Sequence, residues 1–317
     1  MAAPVRLGIL STARIGGRIL AALREGAAAE LVAVSSRDAA SLERYVAEHQ
    51  LAASVRQQPS YEALLADESV EAVYNPLPNA LHAEWTIRAA EAGKHVLCEK
   101  PLARNVAECL AMIAAAERAG VVLMEAFMYR YHPATRRLRE LVAEGALGEL
   151  RLIRSGFCFN VDDPANIRLS APLAGGATMD VGCYCINLAR YLTAEEPVAA
   201  YAVGSFGDAS GVDETICATL EFPSGAVAQF ECSVKSAGRV FANVLGSRGT
   251  LEVERPWTPH PERATLRVNG QEEVIEQGGD PFGNELEAFC AAVRGRARLP
   301  IEPLDGARNM AALVAVL

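Results

Sequence analysis

No run of about 18 apolar residues occurs in this 317-residue chain, so no membrane-spanning helix is expected. Hydrophobic residues make up 51% of the sequence, but polar residues are dispersed among them. Basic residues form no block. With 30 Lys and Arg against 39 Asp and Glu the net charge is −9, which argues against nucleic acid and against an anionic membrane as partners. The eight cysteines (Cys98, Cys109, Cys158, Cys183, Cys185, Cys217, Cys232 and Cys290) form no C-x-x-C pair. The five histidines do not cluster with them, so the ligand set of a zinc site is missing and no metal is expected. Cys183 and Cys185 are two apart and point in different directions on a helix. Most of the cysteines sit in apolar segments, as buried small hydrophobes do in a reducing cytoplasm. The opening "MAAPVRLGIL" has no charged n-region with a long apolar stretch and no cleavage site, so a cytoplasmic location is expected. The chain stops at "MAALVAVL", inside an apolar helical pattern, where a polar tail would be expected to follow.

What is present, from residue 5 to about 125, is an alternation of strand and helix. Strand-like runs are "VRLGIL", "ELVAVSS", "VEAVYN", "KHVLCE" and "GVVLMEA". Helix-like runs follow them: "GGRILAALREG", "SLERYVAEHQ", "HAEWTIRAAEAG" and "VAECLAMIAAAERAG". Gly26, Gly93 and Gly120 stand where helix C-terminal caps belong. Such alternation implies a parallel sheet with helices on both faces, and ligands then bind at the carboxyl ends of the strands. The fold class expected is α/β, a doubly wound parallel sheet over residues 1–125 followed by a second α/β domain over 126–317. The C-terminal helix is expected to pack back on the first domain.

Two glycines are missing from the first turn. A dinucleotide-binding turn reads G-x-G-x-x-G, and here those positions are Ser11, Ala13 and Gly16. A degraded site, a working variant and an ordinary strand–turn–helix all fit that pattern. Ala13 adds one methyl where the pyrophosphate approaches. Ser11 is expected to adopt a turn that does not demand positive φ. Gly16 keeps the close helix–sheet contact, and the helix N-terminus offers free N–H groups to a phosphate. The turn residues Ser11, Thr12, Ala13, Arg14 and Ile15 are therefore cofactor candidates.

The later strand ends supply the others. About 20 residues past the turn an NAD-preferring site carries an acid for the ribose hydroxyls. This chain has Ser36 and Arg37 there, a hydroxyl and a guanidinium that suit a 2′-phosphate, so NADP (NADPH) is expected. Asp38 reads as the N-cap of the following helix. In "NPLPNALH" two prolines fix an extended turn and Asn79 is placed to cap a helix. Asn75, Leu77 and His82 are cofactor candidates in that stretch. In "CEKPLA" Glu99 and Lys100 put a charged pair at the end of an apolar strand, where lysine rarely sits without a partner. Pro101 holds Lys100 extended and so aims its side chain.

A strand ending in "EKP" after such a domain resembles the Gfo/Idh/MocA oxidoreductase family. The likeness continues in "MEAFMYRYHP" (124–133), "GGATMDVGCYCINLARYL" (175–192), "DETICATLEFPSGAVAQFECS" (213–233) and "GSRGTLEV" (246–253). The branch it resembles is that of the dihydrodiol dehydrogenases, NADP-dependent xylose dehydrogenases and glucose-fructose oxidoreductase. That branch tolerates non-glycine residues in the first turn, which marks this turn as a working variant. The resemblance implies a Rossmann domain, a C-terminal domain on a large open sheet, and hydride transfer between nicotinamide and a sugar, cyclitol or related carbonyl or alcohol. Many members carry D-x-G-x-H-x-x-D on the catalytic helix. Here those positions read Asp180, Gly182, Tyr184 and Asn187, so the histidine is a tyrosine and the last acid an amide.

The spacing of Asp180, Tyr184 and Asn187 puts them on one helix face. Carbonyl reduction by hydride develops an alkoxide that needs a proton. A phenol, with a pKa of about 10, serves near neutral pH only if a cation stabilises its anion. Tyr184 is therefore expected to be the acid/base, Lys100 to tune it and polarise the substrate oxygen, and Asp180 to orient hydroxyls. Gly175 and Gly176 are expected to let the chain approach a ligand, and Arg130 and His132 to approach cofactor or substrate.

From about residue 148 seven strand-like runs imply a mostly antiparallel sheet, whose open face implies a homodimer or higher homo-oligomer. "DPANIRLSAPLAGG" is expected to close over a small-molecule substrate, a sugar or polyol. A non-catalytic NADP-binding sensor or scaffold is the alternative. It would have no reason to keep Lys100 and Tyr184 together. An enzyme that holds NADP between an oxidation and a reduction is a third reading.

Overall fold

A computed structural model describes residues 3–26 and 28–317. The chain divides into two compact units, residues 1–127 with 282–307, and residues 128–281 with 308–317.

In the first unit β1 (Val5–Leu10), β2 (Ala29–Ser35), β3 (Arg56–Gln58), β4 (Ala72–Asn75), β5 (His95–Glu99) and β6 (Leu123–Ala126) form one sheet. Their order is β3-β2-β1-β4-β5-β6 and every pair is parallel. Between them run α1 (Gly16–Glu25), α2 (Ala39–Glu48), α3 (Tyr61–Leu65), α4 (Asn79–Glu91) and α5 (Val106–Ala119). Leu7, Ile9, Val73, Tyr74, Val96 and Leu97 are fully buried, which is why these strands read as apolar runs without alternation. The strand order reverses between β1 and β4, and such a reversal opens a ligand crevice at the carboxyl ends.

Local signals set the helix ends. Asp38 caps α2 by accepting from Ser41 N at 2.9 Å, and Asn105 caps α5 by accepting from Glu108 N at 2.9 Å. Gly120 closes α5 at φ 65° and Gly93 follows α4 at φ 72°, whereas Gly26 is extended at φ −114°. Asn79 is not the cap expected of it. It is the first residue of α4, and the cap position is held by Pro78 without a side-chain bond. The helix Pro281–Val293 joins this sheet through Arg294, which donates to Glu71 Oε2 at 2.8 Å and to the carbonyls of Ala3 and Pro4. That guanidinium holds the Glu71 carboxyl down to about 2.

The second unit carries α6 (Pro133–Ala143), β7 (Leu150–Asn160), a wide π turn at Thr178–Gly182, and α7 (Cys183–Thr193). There follow β8 (Ala199–Phe206), β9 (Asp213–Glu221), β10 (Val227–Ser233), β11 (Lys235–Gly246), β12 (Thr250–Val253), β13 (Arg263–Val268) and β14 (Gln271–Glu276). The sheet order is β14-β13-β12-β11-β7-β10-β9-β8. Only β7 and β10 pair in parallel, so the sheet is mostly antiparallel. α7 packs on β7 and β10. On β8, Tyr201, Val203 and Phe206 are exposed at 60%, 75% and 59%. The expected α/β class is what the two units form. No helix among the described residues is long and apolar enough to cross a membrane.

Candidate functional site

In the first unit the turn after β1 forms without its glycines by a side-chain substitute. Ser11 sits at φ 76°, in the left-handed region that the sequence reading had excluded for it. Its Oγ accepts from Ala13 N at 3.3 Å, a local hydroxyl-to-backbone bond of the kind that lets a polar residue occupy a glycine-like conformation. Thr12 and Ala13 are half-buried, and Arg14 and Ile15 are exposed. Gly16 is required by packing, because a Cβ there would lie 2.5 Å from the hydroxyl of Tyr45 on α2. Burial pushes that hydroxyl up to about 12.

At the end of β2, Ser36 is buried and its Oγ accepts from Asp38 N at 3.1 Å. Arg37 is exposed, with its guanidinium 5.6 Å from the ring centre of Tyr61. Asp38 is committed to capping α2, so it does not read as the ribose acid.

At the end of β4, three candidates lie in one bonded group. Asn75 Nδ2 donates to His82 O and Thr86 Oγ1, and its Oδ1 accepts from Leu77 N. Leu77 is buried. His82 is fully buried with both ring nitrogens against carbonyls, of Pro101 at 2.9 Å and Leu77 at 2.7 Å. These bonds tie the turns after β4 and β5 together. At the end of β5, Glu99 accepts from Tyr74 Oη at 2.6 Å, and burial beside that carboxylate drives the Tyr74 phenol well above its usual range. Lys100 is half-buried and its peptide bond to Pro101 is cis. Glu125 on β6, which the sequence did not single out, accepts from Leu102 N at 2.7 Å and holds the same turn from the other side.

The second unit has its own cluster. The π turn at Thr178–Gly182 opens the helix that carries Tyr184, and such wide turns are frequent at functional sites. Asp213, 4% exposed, accepts from Thr178 N at 2.7 Å and caps this turn, and burial raises its carboxyl above the usual range. Gly176 lies at φ 113°, where a Cβ would run into the Asp213 carboxylate, and a Cβ on Gly175 would strike the Arg168 carbonyl. These glycines make room for the close approach of the chain itself.

Tyr184 is 5% exposed, with its Oη 3.5 Å from Met128 Sδ. Its ring packs with those of Tyr129, Phe157 and Trp257 at centroid distances of 5.8, 5.6 and 5.7 Å. Trp257 is fixed by donation from Nε1 to Gly156 O at 3.3 Å. Asn187 Oδ1 accepts from Tyr129 Oη at 2.6 Å and from Arg130 Nη1 at 3.1 Å, so the amide oxygen takes up both donors without a negative charge. Arg130 also lies 3.8 Å over the Tyr191 ring. His132 is buried and caps α6 through Nδ1, which accepts from Ala134 N at 3.1 Å, so its expected approach to a ligand is not made by that nitrogen. Asp180 meets Arg168, Nε to Oδ2 at 2.6 Å, and the Arg168 guanidinium is 5.6 Å from the Phe159 ring centre. Tyr184 and Asn187 thus share Tyr129 as a neighbour, while the wide turn sends Asp180 to Arg168. Arg168, Trp257 and Asp213 escaped the sequence reading, although all three lie in segments it quoted or bordered.

Comparison with known proteins agrees with both units. Residues 5–127 match the oxidoreductase family with an NAD-binding Rossmann fold, and residues 135–252 match the Gfo/Idh/MocA C-terminal domain. The chain is 41% identical over 293 residues to a D-xylose 1-dehydrogenase (NADP(+)) of Haloferax volcanii, covering 90% of this chain and 88% of that one. A 3-ketoreductase from Actinomadura kijaniata, solved with NADP and TDP-benzene, superposes with a TM-score of 0.90 at 31% identity, covering 99% and 97% of the two chains. An aldose-aldose oxidoreductase from Caulobacter crescentus, solved with glycerol, gives 0.88 at 32% identity, covering 98% and 96%. With both halves matched and the turn, the "EKP" end and the tyrosine helix in place, the chain belongs to the Gfo/Idh/MocA family of oxidoreductases.

Proposed function

We propose that this protein is an NADP-dependent dehydrogenase or reductase acting on a free sugar or related polyol. The observation that carries the cofactor choice is at the end of β2. Arg37 stands exposed beside Ser36, and the acid that follows it, Asp38, is occupied as a helix cap. A guanidinium and a hydroxyl favour a 2′-phosphate through charge-assisted bonds, where a carboxylate would repel it. The Ser11 turn and the Gly16 contact fit a pyrophosphate at the α1 N-terminus. The NADP-dependent xylose dehydrogenase and the NADP-bound ketoreductase support the same cofactor.

When bound, the nicotinamide supplies or accepts the hydride. Tyr184 Oη gives the proton to the substrate oxygen in reduction and takes it in oxidation. The Lys100 ammonium favours negative charge on that oxygen. Asp180 and Arg168 offer one acceptor and one donor whose charges cancel, which suits adjacent hydroxyls of a neutral polyol better than a sugar phosphate. The free cysteines, all buried except Cys217, fit a reducing cytoplasm. A second copy covering the exposed β8 face would make a homodimer, read as twice the chain mass by sedimentation equilibrium.

The test is turnover of purified protein with a panel of free aldoses, inositols and diols, using NADP and NAD in parallel. Reduction of NADP with at least one neutral substrate, and little with its phosphorylated counterpart, is the expected result. Tight NADPH binding without turnover of any member would favour the sensor reading.

A further inference from the structure

His82 raises a problem of proton count. Both ring nitrogens lie within hydrogen-bonding distance of main-chain carbonyls, Nδ1 at 2.9 Å from Pro101 O and Nε2 at 2.7 Å from Leu77 O. A carbonyl only accepts, and a neutral imidazole has one N–H. Only the imidazolium donates to both. The two carbonyls belong to different turns, one directly after Lys100 and one after β4, so a single ring spans the two loops at the carboxyl end of the sheet.

The surroundings set how firmly that proton is held. Burial disfavours the charged ring and, with the Lys100 ammonium adding to it, brings His82 below the usual histidine range despite the two carbonyls. Glu125 faces the same turn from β6 through Leu102 N, and Glu99 on β5 is bonded to Tyr74. On its own helix Glu84 and Arg88 are exposed.

We propose that His82 is a positioning residue whose protonated ring ties the Lys100–Pro101 turn to the Leu77 turn and thereby sets the placement of Lys100. Losing the proton leaves a lone pair facing a carbonyl, and one of the two turns is released. This rests on the role given to Lys100 above.

Ring-¹⁵N-histidine NMR of the NADP-loaded protein reads the proton count directly. The His82 signal, assigned by His82→Gln or by substituting the other four histidines in turn, is expected to show two N–H groups at low pH and one above a midpoint below about 6.5. In parallel, the ratio of wild-type to His82→Gln kcat is expected to be about tenfold at low pH and to shrink to about twofold above the midpoint, with NADPH affinity changed less than about threefold. A ratio independent of pH, or a single N–H at every pH down to the unfolding limit, overturns the proposal. If His82→Gln does not fold, the wild-type signal decides alone. Lys100→Ala separates the two readings. Retained turnover there removes the Lys100 role itself, whereas lost turnover with a flat His82 ratio removes only the His82 role.

Discussion

Tyr184→Phe is expected to lower kcat by about 10²–10⁴-fold, the usual range for removing a general acid or base. The substitution is a clean one. The ring keeps its contacts with Tyr129, Phe157 and Trp257, and Met128 Sδ, 3.5 Å from the lost hydroxyl, is a weak acceptor. Thermal stability is therefore expected to change by less than about 1 kcal/mol, the size of one ordinary hydrogen bond. NADPH affinity, measured by fluorescence titration, is expected to stay within about twofold, because the loss falls on the transition state. Lys100→Ala should also slow turnover, and the double variant should lose less than the sum of the two if both groups serve one substrate oxygen. Turnover of Tyr184→Phe within about threefold of wild type would remove Tyr184 from the proton-transfer role.

The parts of this molecule that were legible in the sequence are those where a hydrophobic signal and a chemical one coincide. β1, β4 and β5 are buried on both faces, so their apolar runs stand out, and the residues after them could be placed at the ligand end of the sheet. The cap role of Asp38 was readable for the same reason, since a carboxylate just before an amphipathic helix has one common use. β3 and β14 were missed because Arg56–Gln58 and Gln271–Glu276 are largely polar edge strands with no buried alternation. The Asn269–Gly270 pair, with φ of 51° and 80°, was a hairpin signal that could have found β14.

Within the site, what the sequence hides shares a cause. Polar residues near a strand end attract a reading as ligand contacts, and His82, Asn75 and His132 also carry internal bonds. Their partners are main-chain atoms that no spacing rule reveals: Pro101 O, Leu77 N and Ala134 N. Ser11 takes a positive φ that its residue type disfavours because its own hydroxyl bonds Ala13 N, a local bond that no sequence pattern displays. Trp257 reaches the Tyr184 environment from a loop and Arg168 reaches Asp180 from a single 3-10 turn, Ile167–Leu169, both too irregular for periodicity to place them.

Arg37→Ala is expected to weaken NADPH binding by about tenfold or more while changing NADH binding by less than about threefold, because the lost charge-assisted bonds are to the 2′-phosphate alone. Arg37 is exposed, so part of its effect is screened, and the wild-type preference should shrink as salt is raised. Its position over Tyr61 makes Arg37→Lys informative. Lysine keeps the charge but lacks the planar fork that stacks on a ring and grips phosphate with two donors, so it should recover only part of the preference. Equal losses for NADPH and NADH would mean that Arg37 packs against a part common to both nucleotides. No loss for either would take the phosphate away from the β2 end altogether. In the first unit the Ser11 turn and the Gly16 contact would then remain, and they do not distinguish the two nucleotides.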